Sequence, residues 1–143
     1  MAQDKPNTEL LDTPHWPLEV WAARCTVYLL AQGALVLLAY AYYGFNKDPQ
    51  HFALGFRVDP IQAAMHFVWG LVGTFVGFYR PRYATPFVLA GAAFFAVLGI
   101  IGTLNAHALA MTFDAKTNLF NWCIALLATA AGSFALGRAP SPR

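Results

Sequence analysis

The sequence predicts an all-α fold, a bundle of four transmembrane helices, on three observations. Of its 143 residues, 58% are hydrophobic and only 11% charged, against roughly 25% charged in an ordinary soluble domain. The apolar residues gather into four runs, each near the ~20 residues that cross a bilayer core. Short polar, basic or proline-containing stretches separate them. A mean hydropathy of +0.47 agrees. One compact membrane domain accounts for the length, with no room for a separate soluble one. A net charge of +2 without a basic run points away from nucleic acid. The expected partners are membrane lipids and other integral membrane subunits.

Residues 1–17 are polar and carry Pro6, Pro14 and Pro17, as an arm on the membrane surface would. Trp16 and Trp21 bracket the start of the first apolar run, where indole favours the interface. The first helix is expected over 18–43. The leader is acidic (Asp4, Glu9, Asp12, Glu19) and the run outlasts a signal-peptide core, so it is read as a retained span. The loop over 44–58 contains Phe52, Leu54 and Phe56, which suit the bilayer surface or the side of the bundle.

The second helix, 60–79, has the clearest pattern. Asp59 suits the N-cap and Pro60 the first helical position, where a missing N–H costs nothing. Helical spacing collects Gln62, His66, Gly70, Gly73 and Gly77 on one face and puts Phe67, Leu71, Phe75 and Phe78 mostly on the other. A small, polar face of this kind is made for a neighbouring helix. Arg80-Pro81-Arg82-Tyr83 forms a tight basic turn, with Arg80 and Arg82 at the interface. The third helix follows over 84–104 with Pro86 in its first turn, then a loop, the fourth helix over 118–137, and a tail at 138–143. Six of the nine Lys and Arg residues fall on the side of the two termini. The positive-inside rule therefore puts both termini in the cytoplasm.

The fourth helix repeats the second at an offset of 55 residues. Asp59 matches Asp114, His66 matches Asn121, Gly70 matches Ala125, Gly73-Thr74 matches Ala128-Thr129, and Gly77 matches Gly132. Two parallel-related hairpins about an axis along the membrane normal would give this pattern. Asn118 lies one turn before Asn121, near the start of the helix.

The run V-D-P-I-Q-A-A-M-H-F-V-W-G, the third-helix glycines Gly91, Gly99 and Gly102, and D-A-K-T-N-L-F-N-W together resemble an uncharacterised family of bacterial four-helix membrane proteins. The resemblance covers residues 55–137. That family carries Asn/His-x-x-His-x-x-x-Gly in its second helix and Asp-Asn-x-x-His in its fourth. His66 and Gly70 match the first motif, and Asp114 and Asn118 fall near the second. Gln62 or Ala63 stands where a further polar residue is usual, and Asn121 where the second His would be. The resemblance implies a multi-pass protein of the bacterial inner membrane and supplies no reaction.

His66 is the sharpest functional candidate, because an ionisable group inside a span is a functional hypothesis by default. It suits an axial ligand to a tetrapyrrole (haem or bacteriochlorophyll), or a proton-handling group near a quinone. Its plainer role is a neutral clamp, hydrogen-bonded to Asn121 across the second and fourth helices. No second His lies at matching depth, since His15, His51 and His107 are outside the helices, so a bis-His haem is disfavoured. Gln32 has the same ambiguity: a contact to Thr74, a lipid contact, or helix glue. Arg24, one turn inside, can snorkel to the interface or meet a lipid phosphate. Asn105 and His107 suit the carbonyl end of the third helix. Cys25 and Cys123 are expected as buried free thiols in opposite leaflets, beyond the roughly 7 Å Cα limit of a disulfide.

Catalytic patterns are missing. The spans contain no Asp or Glu beyond the first turn, and the chain has no phosphate loop, metal-ligand motif or CxxC. Ser133 has no His at its depth. The expectation is a non-catalytic accessory or stabilising subunit of a larger membrane complex, with a tetrapyrrole-binding protein and a small-molecule permease as alternatives.

Overall fold

The computed structural model describes residues 17–44 and 59–137, which contain helices and no strand. Helices α1 (Leu18–Cys25) and α2 (Val27–Tyr43) form the first span, α3 (Pro60–Tyr79) the second, α4 (Ala84–Leu104) the third and α5 (Ala115–Gly137) the fourth. All four spans are long and apolar enough to cross a membrane. The expectations for the arm with Trp16, for the loop aromatics Phe52, Leu54 and Phe56, for His15 and His51, and for the tail lie outside the described residues.

Successive spans run antiparallel. Leu18, Tyr79, Ala84 and Gly137 mark one end of the bundle, the terminal end; Tyr43, Pro60, Leu104 and Ala115 mark the other, the loop end. The second and third helices have the expected bounds. The first is interrupted at Thr26, whose hydroxyl donates to Ala23 O at 2.6 Å and so competes with the backbone ladder. The fourth begins three residues earlier than expected, at Ala115, because Asp114 caps it: Asp114 Oδ1 accepts from Thr117 N at 2.7 Å. Asp59 caps α3 the same way, accepting from Gln62 N at 2.9 Å.

The main packing pairs are α2 with α3 and α4 with α5, and α1 touches α3, α4 and α5 at the terminal end. Close approach depends on missing side chains. A Cβ on Gly33 would stand 2.5 Å from Phe67 N, and one on Gly70 would strike the Leu30 backbone. In the other hairpin, a Cβ on Gly99 would stand 2.8 Å from the Trp122 ring. The face predicted on α3 is real: Gln62, His66, Gly70, Gly73 and Gly77 are all buried. The neighbour it was expected to meet is the first span: its glycines rest on Leu30, Thr26 and Arg24, with Phe87 of α4 also against Gly73.

The two ends have different interiors. Val20, Ala23, Val76, Ala84, Val88 and Ala131 fill the terminal end with apolar side chains. Nearer the loop end, Leu29, Phe95, Leu98 and Ala125 pack with Met111 and Phe113 of the α4–α5 loop. That loop is folded back onto the bundle and tied there by Thr112 N, which donates to Asp59 Oδ2 at 2.8 Å.

Candidate functional site

The buried polar residues gather in the half of the bundle nearer the loop end. Gln62 and His66 stand one turn apart on α3, each 1% exposed; Thr117 (2%) and Asn121 (0%) stand one turn apart on α5. Gln32 of α2 is 7% exposed, and its neighbour Gly33 rests against Ala63 and Phe67 of α3, so it lies at the depth of His66. The helix caps set this arrangement. Asp59 and Asp114 each start a helix, and the positions three and seven residues on then point inward, as the helical period requires.

The side chains of Gln62, His66 and Asn121 do not bond to one another. Both nitrogens of His66, both amide atoms of Gln62 and of Asn121, Oε1 of Gln32 and Oδ1 of Asn118 are buried without a hydrogen-bond partner. The predicted clamp from His66 to Asn121 is therefore not formed. Aromatic rings stand in its place: Phe120 and Phe95 lie 5.9 and 6.1 Å from the imidazole, centroid to centroid. Nor does Gln32 meet Thr74, as Gln32 Oε1 and the Thr74 hydroxyl both lack a partner.

The polar clamp that does form joins α4 to α5. Thr103 Oγ1 donates to Gly99 O at 2.7 Å and accepts from Asn118 Nδ2 at 2.9 Å and from Trp122 Nε1 at 3.4 Å. Sequence reasoning passed over Thr103; a hydroxyl in the last turn of a long apolar helix was the available signal. It also passed over Trp69, whose ring is stacked between Phe87 (5.1 Å) and Phe94 (5.0 Å) and lies against Gly91. The third-helix glycines Gly91 and Gly99 are thus seats for indole rings.

A cavity of about 290 Å³ adjoins the polar set on the side of the terminal end. Leu29, Trp69, Phe95 and Phe120 wall it, and Cys25, Tyr28 and Leu127, all exposed, lie at its rim. It opens sideways between the first and fourth spans, where α1 rather than α2 carries the contact with α5. Phe95 and Phe120 divide it from His66, which does not line it.

The remaining predicted residues have simple places. Arg24 Nε donates to Gly77 O at 2.9 Å and its guanidinium lies 4.9 Å from the Phe78 ring centre, so it caps the carbonyl end of α3 instead of only snorkelling. Trp21, Arg80 and Arg82 are exposed at the terminal end. Asn105 does not cap α4 with its side chain; its Oδ1 accepts from His107 N at 3.0 Å and shapes the turn itself. Ala125 and Gly132 are buried on α5, with Gly132 seated on Leu89. Cys25 and Cys123 are free as expected but exposed, because both lie on the outward side of their helices. Among the described residues, no three His, Cys, Asp or Glu side chains come together as metal ligands.

No known protein family, characterised protein or solved structure matches this chain.

Proposed function

We propose that this is a non-catalytic multi-pass protein of the bacterial inner membrane, with both termini cytoplasmic, that works as an accessory subunit of a larger membrane complex. One observation carries this reading. The fourth span is the least buried of the four, with 22% of its apolar window inside the bundle. Ala130, Ser133 and Gly137 recur along its exposed side near the terminal end. Lipid is met well by large apolar side chains; small residues and a hydroxyl at this spacing suit another helix. The expected occupant is a transmembrane helix of a different subunit.

The proposal includes the family resemblance and the repeat of two hairpins. The paired caps at Asp59 and Asp114 support the repeat, as do the buried pairs Gln62 with Thr117, His66 with Asn121, and Gly77 with Gly132. The alternatives draw less support. A tetrapyrrole held by His66 needs a slot the size of a macrocycle beside a ring nitrogen, whereas the adjoining cavity is about 290 Å³ and Phe95 and Phe120 stand against the ring. A permease needs polar groups through both halves, whereas the terminal half is closed by Val20, Val76, Val88 and their neighbours.

The test is a photo-crosslinking amino acid placed at Ser133 and, separately, at the exposed Leu38 of the first span, in native membranes. The reading expects a discrete adduct with one other membrane protein from Ser133 and none from Leu38. Adducts with lipid alone, together with a monodisperse monomer in mild detergent, would refute it.

A further inference from the structure

We propose that the lateral cavity and the polar groups behind it form one binding site for an uncharged amphiphile. Its hydrogen-bonding head would meet Gln62, His66 and Asn121, and its apolar tail would lie between the first and fourth spans. This goes beyond a packing role and does not depend on any partner subunit.

The first support is the polar set itself. Buried amide and imidazole atoms without a partner are costly, and far fewer are tolerated in ordinary interiors than are gathered here. Three side chains, each at least 99% buried, offer a full complement of donors and acceptors that the fold does not use. The groups are specific in kind. Two carboxamides and an imidazole donate and accept, and among the described residues no Lys, Arg, Asp or Glu is buried beside them. Among the described residues the half-buried cation Arg24 is at the other end and engaged with Gly77 O. Such a set recognises carbonyl and hydroxyl groups and gives no compensation to an ion.

The second support is access. The cavity is apolar, opens toward the membrane rather than toward either aqueous face, and is near the lower end of small-molecule pockets in size. On the loop end the set is covered by Met111 and Phe113, which are 3% and 4% exposed, and the covering loop is pinned to Asp59. On the terminal end the apolar core closes it. Among the described residues the approach left is sideways, past two rings. Phe95 is fully buried, whereas Phe120 is half-buried and stands between Tyr28, 6.4 Å away, and His66. Phe120 is the ring that moves, and a swing toward Tyr28 joins the cavity to the imidazole and the two amides.

Two lipid-soluble sources share this head chemistry: quinones or quinols, and acylglycerols. The experiment uses the full chain in lipid nanodiscs with three decyl-tailed probes, each bearing a diazirine at the tail end: a decyl benzoquinone, monodecanoylglycerol and decyl sulfate. Labelled peptides are read by mass spectrometry. We expect one or both neutral probes to label the segments of Tyr28–Leu29 and Ile124–Leu127, which identifies the source, and decyl sulfate to label them about tenfold less. Two variants separate the halves of the site. Asn121→Leu removes a head contact, and Leu127→Trp obstructs the mouth at a residue 72% exposed, where folding is not at stake. Each should cut neutral-probe labelling about tenfold while helix content is unchanged. Equal labelling by the charged probe, labelling scattered over the outer surface, or labelling unaffected by Leu127→Trp would overturn the proposal.

Discussion

Asp59 and Thr112 are joined across the mouth of the bundle: the carboxylate caps α3 through one oxygen and holds the Thr112 amide at 2.8 Å through the other. One side chain therefore fixes both a helix start and the loop that covers the polar set. Asp114 fixes only a helix start, through Thr117 N.

The two aspartates should respond differently to the same change. Asp59→Asn keeps one accepting oxygen for the cap and loses the second, so hydrogen exchange at the Thr112 amide should rise while α3 stays protected. Asp59→Ala also loses the cap, at about 1 kcal/mol. Asp114→Asn should leave Thr112 protection as it is. Equal exchange at Thr112 in all three variants would mean that the loop is held by Met111 and Phe113 alone.

The glycines make a graded series. Gly33→Ala puts a methyl 2.5 Å from Phe67 N, against backbone that cannot yield without separating α2 from α3. A loss of about 1–3 kcal/mol follows from such overpacking. Gly91→Ala, at 3.3 Å from the Trp69 ring, should cost less, and Gly137→Ala, with nothing within 4 Å, should be neutral. Unfolding midpoints in mild detergent check the order. A Gly33→Ala protein as stable as the Gly137→Ala protein would contradict the close approach of the first hairpin.

Much of the fold was legible in the sequence because helices announce themselves by length, caps and period. Asp59 marked the start of α3, whose inward face was read residue by residue. Asp114 was matched to it through the repeat, while the fourth helix was still expected to begin at 118. Period does not say which neighbour a face will meet. Gly70, Gly73 and Gly77 look equally fit for the first or the fourth span, and the choice depends on how whole helices rotate to seat Trp69 on Gly91 and Trp122 on Gly99. The same rotation separates His66 from Asn121 with Phe120 and turns Cys25 and Cys123 outward. Thr26 was missed because its hydroxyl acts on its own helix, an effect that a hydrophobic pattern does not carry.

The bond between Asn118 and Thr103 should behave as the clamp once expected of His66. Thr103→Val keeps the side-chain shape and removes the acceptor for Asn118 Nδ2 and Trp122 Nε1. The expected loss is about 0.6 kcal/mol, the usual scale for interhelical hydrogen bonds in membranes. A Thr103→Val, Asn118→Ala double-mutant cycle in bicelles measures it. Zero coupling would remove the clamp from the account.

The most direct test concerns Asn121, fully buried with both amide atoms unpartnered. If the polar set is kept for binding and not for holding helices together, Asn121→Leu, with the same heavy-atom branching and no polar atom, relieves an unmet hydrogen-bonding demand. The measurement is the unfolding free energy of wild type and Asn121→Leu by steric trapping in bicelles free of added amphiphile. The account predicts a variant at least as stable as wild type. A loss of about 1 kcal/mol or more, the scale of a buried bond broken, would make Asn121 a structural clamp and contradict it.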